Sequence, residues 1–313
     1  MVESTDLFLF LTINFAFILL VRRNSSIVKV RKSRGDYSSD DIPDLSLEQL
    51  RFYVKWTESD FNNISDIKKN IISLWKAVKS NFHTYRCIQS MSYLNPRAQE
   101  FSVYQNLLQH YRSKQSIKVA DIGCCFGQDT RQLILDGIPP SSIYSIDIHD
   151  GYWKAGLDLF EDTLKPNGPI SQVNTCFHDM TLPLYDINSI ESNQTDIFFE
   201  SFDFIILMAV LHTISIQQQN LLLNRIHKML KSHQGIIMGS CVGANDPGKW
   251  YLTPDGKNER YLHSRSSLYD LMLQIGFTDI DITEREPQMN NCSIDIDHQV
   301  ERKRIYLKFT AKA

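Results

Sequence analysis

The stretch Lys118-Val-Ala-Asp-Ile-Gly-Cys-Cys-Phe-Gly-Gln-Asp129 decides the fold that this sequence predicts. Residues 118–122 have the apolar character of a short buried strand and include an acid, Asp121. A turn with glycines at Gly123 and Gly127 follows, and then a helix begins. Glycine tolerates positive φ and lets a ligand approach the backbone closely. The stretch therefore predicts a strand, a ligand-binding turn and a helix in succession.

The rest of the chain extends this unit by alternating strands and helices. Apolar runs predict strands at 118–122, 142–146, 173–177, 202–208, 235–239, 279–283 and 304–310. Helical spacing predicts helices between them at 129–136, 153–163, 216–231 and 266–276. Such alternation is typical of α/β proteins with a doubly wound parallel sheet. The last two strands have no helix between them, so we expect an antiparallel pair at the sheet edge. That Rossmann-like, seven-stranded layout is typical of class I methyltransferases and differs from that of dinucleotide-binding dehydrogenases.

The glycine turn distinguishes two kinds of nucleotide site. The dinucleotide pattern G-x-G-x-x-G fails twice, because Cys125 and Gln128 stand where its second and third glycines are required. The pattern acid-x-G-x-G-x-G, typical of S-adenosylmethionine (SAM) sites, loses only its middle glycine, at Cys125. SAM carries an ammonium group, which Asp121 can hold by a charge-assisted hydrogen bond. We therefore expect SAM as the cofactor, with a purely structural turn as the alternative.

Further candidate cofactor residues follow the later strands, because parallel sheets bind ligands at the carboxyl ends of their strands. Asp147 can accept hydrogen bonds from both ribose hydroxyls, with a solvated strand end as its rival role. Asp179 can accept from the adenine amino group, unless it caps a helix, and Met180 can pack on the ring. Met208 and Ala209, at the end of the fourth strand, would flank the sulfonium.

His212 is the candidate catalytic residue, because it closely follows the fourth strand and can face the methyl acceptor. A histidine can act as the general base that a hydroxyl acceptor needs. A carboxylate acceptor needs no base, and His212 would then bind or orient it. A structural, hydrogen-bonding histidine is the alternative role.

Composition argues against several other classes of protein. The 313 residues carry a formal net charge of −3 and no long basic run, which disfavours nucleic acid as a partner. The six cysteines include no C-x-x-C pair and no paired Cys/His cluster, so neither a zinc site nor a disulfide framework is predicted. The fourth strand also lacks the Asn/Asp-Pro-Pro-Tyr signature of methyltransferases that act on nucleobase amino groups.

The N-terminal region carries a separate signal. Residues 7–21 are nearly all apolar, two acids precede them, and arginines and lysines follow between positions 22 and 32. The segment is shorter than the roughly 20 residues that span a bilayer. A short membrane anchor, a core or interface helix and a dispensable extension are therefore all compatible with it. As an anchor, it would leave a cytoplasmic catalytic domain, because the basic flank lies on its C-terminal side.

We predict three parts of the chain from these patterns. Residues 1–30 form the apolar segment with its basic flank, residues 31–115 a linker and an N-terminal helical cap, and residues 116–313 the SAM-binding domain. Helices of the cap are predicted at 46–50, 66–78 and 96–111.

The sequence resembles a family of fungal secondary-metabolite methyltransferases that includes enzymes of meroterpenoid biosynthesis. The matching motifs are Asp121-Ile-Gly-Cys-Cys-Phe-Gly-Gln-Asp129, Leu135-Asp-Gly-Ile-Pro139, Ile143-Tyr-Ser-Ile-Asp147, Gly156-Leu-Asp-Leu-Phe-Glu-Asp162, Arg86-Cys-Ile-Gln-Ser-Met-Ser-Tyr-Leu94, Leu211-His212, and His263-Ser264 with Ser267-Leu268. They lie within residues 50–285, and the double cysteine of the glycine turn is the most specific of them. The resemblance implies SAM-dependent O-methylation of a small molecule, often at a carboxyl group. By position it also implies cofactor contacts from Asp121, Gly123, Gly127, Asp147, Ile148, Asp179 and Met180.

We expect the acceptor pocket between the strand ends and the helices that precede residue 117. Arg86 can pair with an acidic acceptor, although a surface ion pair explains it equally well. Plain core packing is the alternative role for each aromatic candidate. These candidates are Tyr93, Trp250 and His263, together with Phe82, Tyr85 and Tyr251.

Two other functions stay open on the sequence alone. One is a catalytically silent protein of the same fold that regulates a partner, since a fold does not fix a function. The other is a protein or lipid methyltransferase at a membrane, which only the N-terminal segment favours.

Overall fold

The computed structural model describes residues 45–81, 85–114, 116–182, 198–251, 259–286 and 304–313, all within one unit of the chain, Tyr37–Ala313. The apolar segment at 7–21 and its basic flank lie outside the described residues. Among those that are described, every helix is too short or too polar to cross a membrane. The helices before residue 116 and the sheet after it belong to the same unit. The boundary between a cap and a SAM-binding domain at residue 116 stays a prediction.

The described residues contain nine strands: β1 Val119–Ile122, β2 Ile143–Asp147, β3 Asn174–Phe177, β4 Phe204–Met208, β5 Ile236–Ala244, β6 Gly248–Tyr251, β7 Glu259–Leu262, β8 Thr278–Arg285 and β9 Arg304–Lys312. Seven of them form one sheet in the order β3-β2-β1-β4-β5-β9-β8. β1 to β5 pair in parallel, and β9 pairs antiparallel with β5 and β8. This order confirms the predicted doubly wound sheet with its antiparallel ending.

Eight helices surround this sheet in the described part of the chain: α1 Leu47–Thr57, α2 Ile64–Asn81, α3 Arg86–Gln89, α4 Ser102–Lys114, α5 Gln128–Leu135, α6 Asp150–Leu159, α7 Ile216–Met229 and α8 Arg265–Ile275. The helix predicted at 96–111 begins later, at Ser102. The amides of Arg97 and Ala98 donate to the Asp129 carboxylate, at 2.7 and 2.8 Å, and this holds the stretch before α4 out of a long helix. The helix predicted at 153–163 ends at Leu159, and a separate 3-10 turn follows at Asp162–Leu164.

Buried apolar side chains of the described residues form three clusters. Two lie within the sheet and the helices that cover it, and β1 is buried at all four of its positions, as expected for a central parallel strand. The third cluster joins α1 and α2 to Phe126 of the glycine turn and to Tyr152 and Phe160 in and after α6. The predicted helical cap is thus packed directly against the turn that follows β1.

The hairpin of β6 and β7 was not predicted from the sequence. Its strands pair antiparallel, with Trp250 opposite Arg260. Backbone hydrogen bonds attach the second strand to the main sheet and to the loop after β4: Tyr261 N donates to Ile214 O at 3.1 Å, and Ala244 N donates to His263 O at 2.9 Å. The hairpin therefore lies beside the loop that contains His212.

Candidate cofactor and acceptor site

The turn after β1 has a regular backbone conformation that glycine favours. Gly123, Cys125 and Gly127 all have positive φ, at 73°, 51° and 72°. Cys125 thus takes the place of the middle glycine in conformation as well as in sequence. An L-residue in this left-handed region costs about 1–2 kcal/mol, so the fold maintains a small strain at this position.

The glycines of the turn are also required by close packing. A Cβ atom on Gly123 would lie 2.3 Å from Cγ2 of Val210, in the loop after β4. A Cβ atom on Gly127 would lie 2.7 Å from Cζ3 of Trp153 on α6. Gly123 thus allows the loop after β4 to lie close to the end of β1, and Gly127 allows α6 to pack against the turn.

Asp147, the last residue of β2, is bonded to the glycine turn. Its Oδ2 accepts from Cys125 N at 2.9 Å, and its Oδ1 accepts from His149 N at 3.2 Å. Burial raises the pKa of Asp147, while these backbone hydrogen bonds lower it. The next residue, Ile148, leaves 50% of its surface exposed. A carboxylate and an exposed apolar side chain thus lie together at the strand ends, as a ribose and an adenine ring would require.

Asp121 lies at the end of β1, beneath the turn, and is 2% exposed. Its Oδ2 accepts from Thr130 Oγ1 at 2.9 Å, and Thr130 in turn is 2.7 Å from Ser145 Oγ. Burial and the neighbouring Asp129 raise the pKa of Asp121. Among the described residues, no lysine or arginine forms an ion pair with it. A buried carboxyl group without a cation favours a ligand that brings one, and this fits the ammonium of SAM.

The remaining predicted cofactor residues are less open to a ligand. Asp179 Oδ1 accepts from Thr181 N at 2.8 Å and from Thr181 Oγ1 at 2.7 Å. Its carboxylate therefore stabilises a local turn, a role similar to the helix capping that was the alternative to adenine binding. Met180 and Met208 are 8% and 7% exposed and belong to the buried core of the sheet. Ala209 directly follows β4 and has a φ of 59°.

His212 lies in a 3-10 turn, Leu211–Thr213, at the strand ends. Its Nδ1 accepts from the backbone N–H of Val242 at 3.3 Å. An imidazole that accepts at Nδ1 carries its proton at Nε2 when neutral. Burial, followed by the positive charges of Arg260, Arg97 and Arg304, lowers the pKa of His212 to about 3. Neutral His212 is therefore a hydrogen-bond donor at Nε2.

The predicted acceptor residues have different environments. Tyr93 is 3% exposed and stacks on Phe126 with ring centroids 4.4 Å apart, so it packs against the glycine turn. His263 is 3% exposed, its Nδ1 is 2.9 Å from Ser267 Oγ, and its Nε2 is 2.8 Å from Gln219 Oε1. Both ring nitrogens of His263 have partners within the protein, and its contact with the acceptor stays a prediction.

Trp250 and the cap aromatics are closer to the expected pocket. Trp250 is half-buried in β6 and faces two arginine side chains. Tyr85 and Tyr152 form a tilted ring pair with centroids 6.0 Å apart, and Asp147 and Cys125 are among the groups that raise the pKa of both hydroxyls, after burial. Phe82 and the side chains of Arg86 and Tyr251 lie outside the described residues.

One buried ion pair near the site was missed in the sequence. The Arg131 guanidinium, on α5, is fully buried, pairs with Asp162, and donates to the carbonyls of Phe126 and Gly127 at 2.5 and 2.9 Å. Trp56 Nε1 of α1 also donates to Asp162, at 2.9 Å. This network ties the cap to the glycine turn. In the sequence, one arginine in a helical stretch gives no sign of burial.

Comparison with known proteins identifies similar chains, although no family model matches. The chain is 40% identical over 78 residues to methyltransferase ausD of Penicillium brasilianum. These matched residues cover 25% of this chain and 27% of that protein. It is 32% identical over 148 residues to the asnovolin E/chermesin D methyltransferase nvfJ of Aspergillus novofumigatus, covering 45% and 51%. With O-methyltransferase atr3 of Stereocaulon alpinum it shares 28% identity over 129 residues, covering 36% and 37%.

These relatives confirm the resemblance to fungal secondary-metabolite methyltransferases. The chain spans between about a quarter and a half of the length of these curated relatives. Among solved structures, it is similar to 1,6-didemethyltoxoflavin-N1-methyltransferase of Burkholderia thailandensis, with a TM-score of 0.47, 14% identity and coverage of 81% and 90%. It is also similar to phosphoethanolamine N-methyltransferase 2 of Haemonchus contortus, with a TM-score of 0.43, 17% identity and coverage of 66% and 52%.

Proposed function

We propose that this protein is a SAM-dependent methyltransferase that methylates a carboxylate oxygen of a small-molecule metabolite in secondary metabolism. The observation that carries the proposal is the glycine turn, in which Gly123, Cys125 and Gly127 have positive φ and Asp147 bonds to the backbone of Cys125. The similarity to fungal methyltransferases supports the same class of reaction.

Each part of the cofactor has a suitable partner in this arrangement. Asp147 would accept from the ribose hydroxyls, Ile148 would cover the adenine ring, and Asp121 would lie near the ammonium. The backbone of the turn would pass close to the cofactor, because its glycines bring no side chain there. When bound, SAM supplies an electrophilic methyl group.

His212 supports a carboxylate acceptor over a hydroxyl acceptor. A general base needs a free nitrogen that faces the acceptor, but Nδ1 is occupied by Val242 N–H and Nε2 carries the proton. A donor at Nε2 can instead hold one carboxylate oxygen while the other attacks the methyl carbon in line. A carboxylate is already ionised at neutral pH, so the transfer requires no proton removal.

Water exclusion would favour this transfer, because opposite charges are neutralised as the methyl group moves. Tyr85 and Tyr93 of the cap contact Tyr152 of α6 and Phe126 of the glycine turn, and the four rings form one aromatic group beside this turn. The cap would therefore shield the reacting groups from solvent while it forms one wall of the acceptor pocket.

The test is a transfer assay with the full-length protein, methyl-labelled SAM and a metabolite extract from the source organism. We expect label in a product that mild alkali releases as methanol, as methyl esters do, and loss of S-adenosylhomocysteine (SAH) binding in Asp147→Ala. Alkali-stable label would instead indicate methylation of a hydroxyl or amine. SAH binding without any transfer would indicate a silent protein of this fold, and absence of SAH binding would refute the proposal altogether.

A further inference from the structure

Three arginines from distant parts of the sequence act electrostatically on His212. Arg97 precedes α4 in the cap, Arg260 lies in β7 of the hairpin, and Arg304 begins β9. The positive charge of each of the three lowers the pKa of His212, after burial. The surroundings of His212 are therefore cationic.

Two of these arginines are held against one aromatic ring. The Cζ atoms of Arg260 and Arg304 lie 5.6 and 5.1 Å from the ring centroid of Trp250. Arg304 also pairs with Ala244 of β5, two residues beyond Val242, whose N–H bonds to His212. Stacking on an aromatic ring fixes the plane of the Arg260 guanidinium and leaves N–H groups of this side chain available for a planar anion.

The backbone around Arg260 is fixed beside His212. Tyr261 N donates to Ile214 O, and Gln219 Nε2 donates to Tyr261 O and Leu211 O, both at 2.9 Å. Gln219 is fully buried, so these bonds are protected from water. The hairpin and the turn that contains His212 are therefore joined by hydrogen bonds into one unit, which fixes the backbone position of Arg260.

Arg260 has no counterion within the described part of the protein. Its side chain stacks on the Trp250 ring and interacts electrostatically with the Tyr85 hydroxyl, and no carboxylate of the described residues forms an ion pair with it. Burial lowers the pKa of Arg260, which expresses the cost of a partly desolvated cation. Such a cation is stabilised when an anion reaches it.

We infer that Arg260, supported by Arg304 and Arg97, forms the subsite that binds the anionic group of the methyl acceptor next to Nε2 of His212. Arg260 then determines specificity for an acid over an uncharged analogue. The inference rests on the proposed function, because it assigns the acceptor side of the same site.

The test measures binding to the full-length protein saturated with SAH. The probes are a panel of aromatic, aliphatic and polycyclic carboxylic acids, each paired with its primary amide, and calorimetry gives the two affinities. We expect at least one acid to bind roughly tenfold or more tightly than its amide. Arg260→Gln should weaken that acid roughly 10- to 100-fold, while the amide and SAH bind as before. Arg260→Lys should retain part of the preference.

Arg112→Gln, at an exposed arginine of α4, is the matched control and should bind like the unaltered protein. If Arg260→Gln does not fold, Arg304→Gln tests the same subsite from β9 and should show the same selective loss. The inference is overturned if no acid is preferred over its amide, or if the variant weakens acid and amide equally. SAH binding is measured first, because its absence would refute the proposed function, whereas SAH binding without acid preference refutes this inference alone.

Discussion

Gly123 and Gly137 show how the same substitution can have two different costs. Both have positive φ, 73° and 95°. A Cβ atom at Gly123 would lie 2.3 Å from Val210, whereas a Cβ atom at Gly137 would have nothing within 4 Å beyond its neighbours in the chain. Gly137→Ala should therefore lose only about 1–2 kcal/mol of unfolding free energy, from backbone strain. Gly123→Ala adds an overpacking cost of about 1–3 kcal/mol and shifts the turn. Urea unfolding and SAH calorimetry check this prediction.

SAH affinity separates the two variants most sharply. We expect Gly137→Ala to bind SAH like the unaltered protein and Gly123→Ala to lose at least about tenfold, or about 1.4 kcal/mol. Equal SAH affinity in both variants would mean that the backbone of the turn does not form the cofactor site.

His212 predicts a pH dependence of stability. Burial and the three arginines lower its pKa in the folded protein to about 3, whereas the unfolded chain titrates at about 6.5. The unfolded state therefore binds more protons between these values, so the stabilisation is complete above pH 6.5 and is lost as the pH falls. The His212→Asn variant keeps an acceptor for Val242 N–H but has no imidazole to protonate. When the pH falls from 6.5 to 4.5, its unfolding free energy should decrease by about 1–2 kcal/mol less than that of the unaltered protein. Urea unfolding at both pH values measures the difference, and parallel pH curves would contradict the prediction.

The positive φ of the glycine turn could be predicted because it depends on local sequence. Gly123 follows β1 directly and Asp147 ends β2, and parallel strands bring such positions to one edge of the sheet. His263 was assigned to the acceptor from its residue type and motif. Its partners, Gln219 and Ser267, come from two helices, and only the folded chain shows that both ring nitrogens are engaged.

At the scale of secondary-structure elements, the buried pair of Arg131 and Asp162 joins α5, the turn after α6 and the cap. Arg131→Met should lower the free energy of unfolding by about 3–5 kcal/mol, because it leaves the buried Asp162 carboxylate without its cation. Asp162→Asn combined with it should recover part of that loss. Lys154→Met, in the exposed pair with Asp150 on α6, is the control and should cost less than about 1 kcal/mol. Thermal and urea unfolding measure all three, and equal costs for the two single variants would contradict the assigned role.

The elements of the main sheet could be predicted, and the hairpin could not. Strands β1 and β4 are short apolar runs between helices, which is a strong pattern. β6 and β7 each have four residues with charged side chains among them, and only Leu262 of β7 is buried. Their stability comes from contacts with β5 and the His212 loop, which no local pattern reveals.

At the scale of the whole molecule, the site is assembled from the cap, the sheet and the hairpin. Tyr85 comes from the cap, Asp147 from the sheet and Arg260 from the hairpin, and both of the latter affect the pKa of the Tyr85 hydroxyl. The predicted boundary at residue 116 runs through this site. Contacts between cap and sheet decide whether the two parts can exist separately.

These contacts are extensive and buried. Asp129 accepts from the amides of Arg97 and Ala98, Tyr93 stacks on Phe126, and Trp56 bonds to Asp162. Removal of the cap would expose the members of the third apolar cluster that remain, Phe126, Tyr152, Leu159 and Phe160, and would leave the buried Asp129 carboxylate without those donors. We therefore expect residues 116–313 alone to lack a cooperative unfolding transition and to bind a dye for exposed apolar surface.

The matched control for this truncation is residues 37–313, which keep the whole unit that contains the described contacts. That chain should unfold in one transition whose midpoint rises with SAH, because a ligand that binds only the folded state stabilises it by about 2.7 kcal/mol at 100 times its Kd. If residues 116–313 also unfold cooperatively and bind SAH, the cap contributes only to the acceptor pocket, and the predicted division at residue 116 is a true domain boundary. If they do not, cap and sheet fold as one structure, and the cofactor site depends on both.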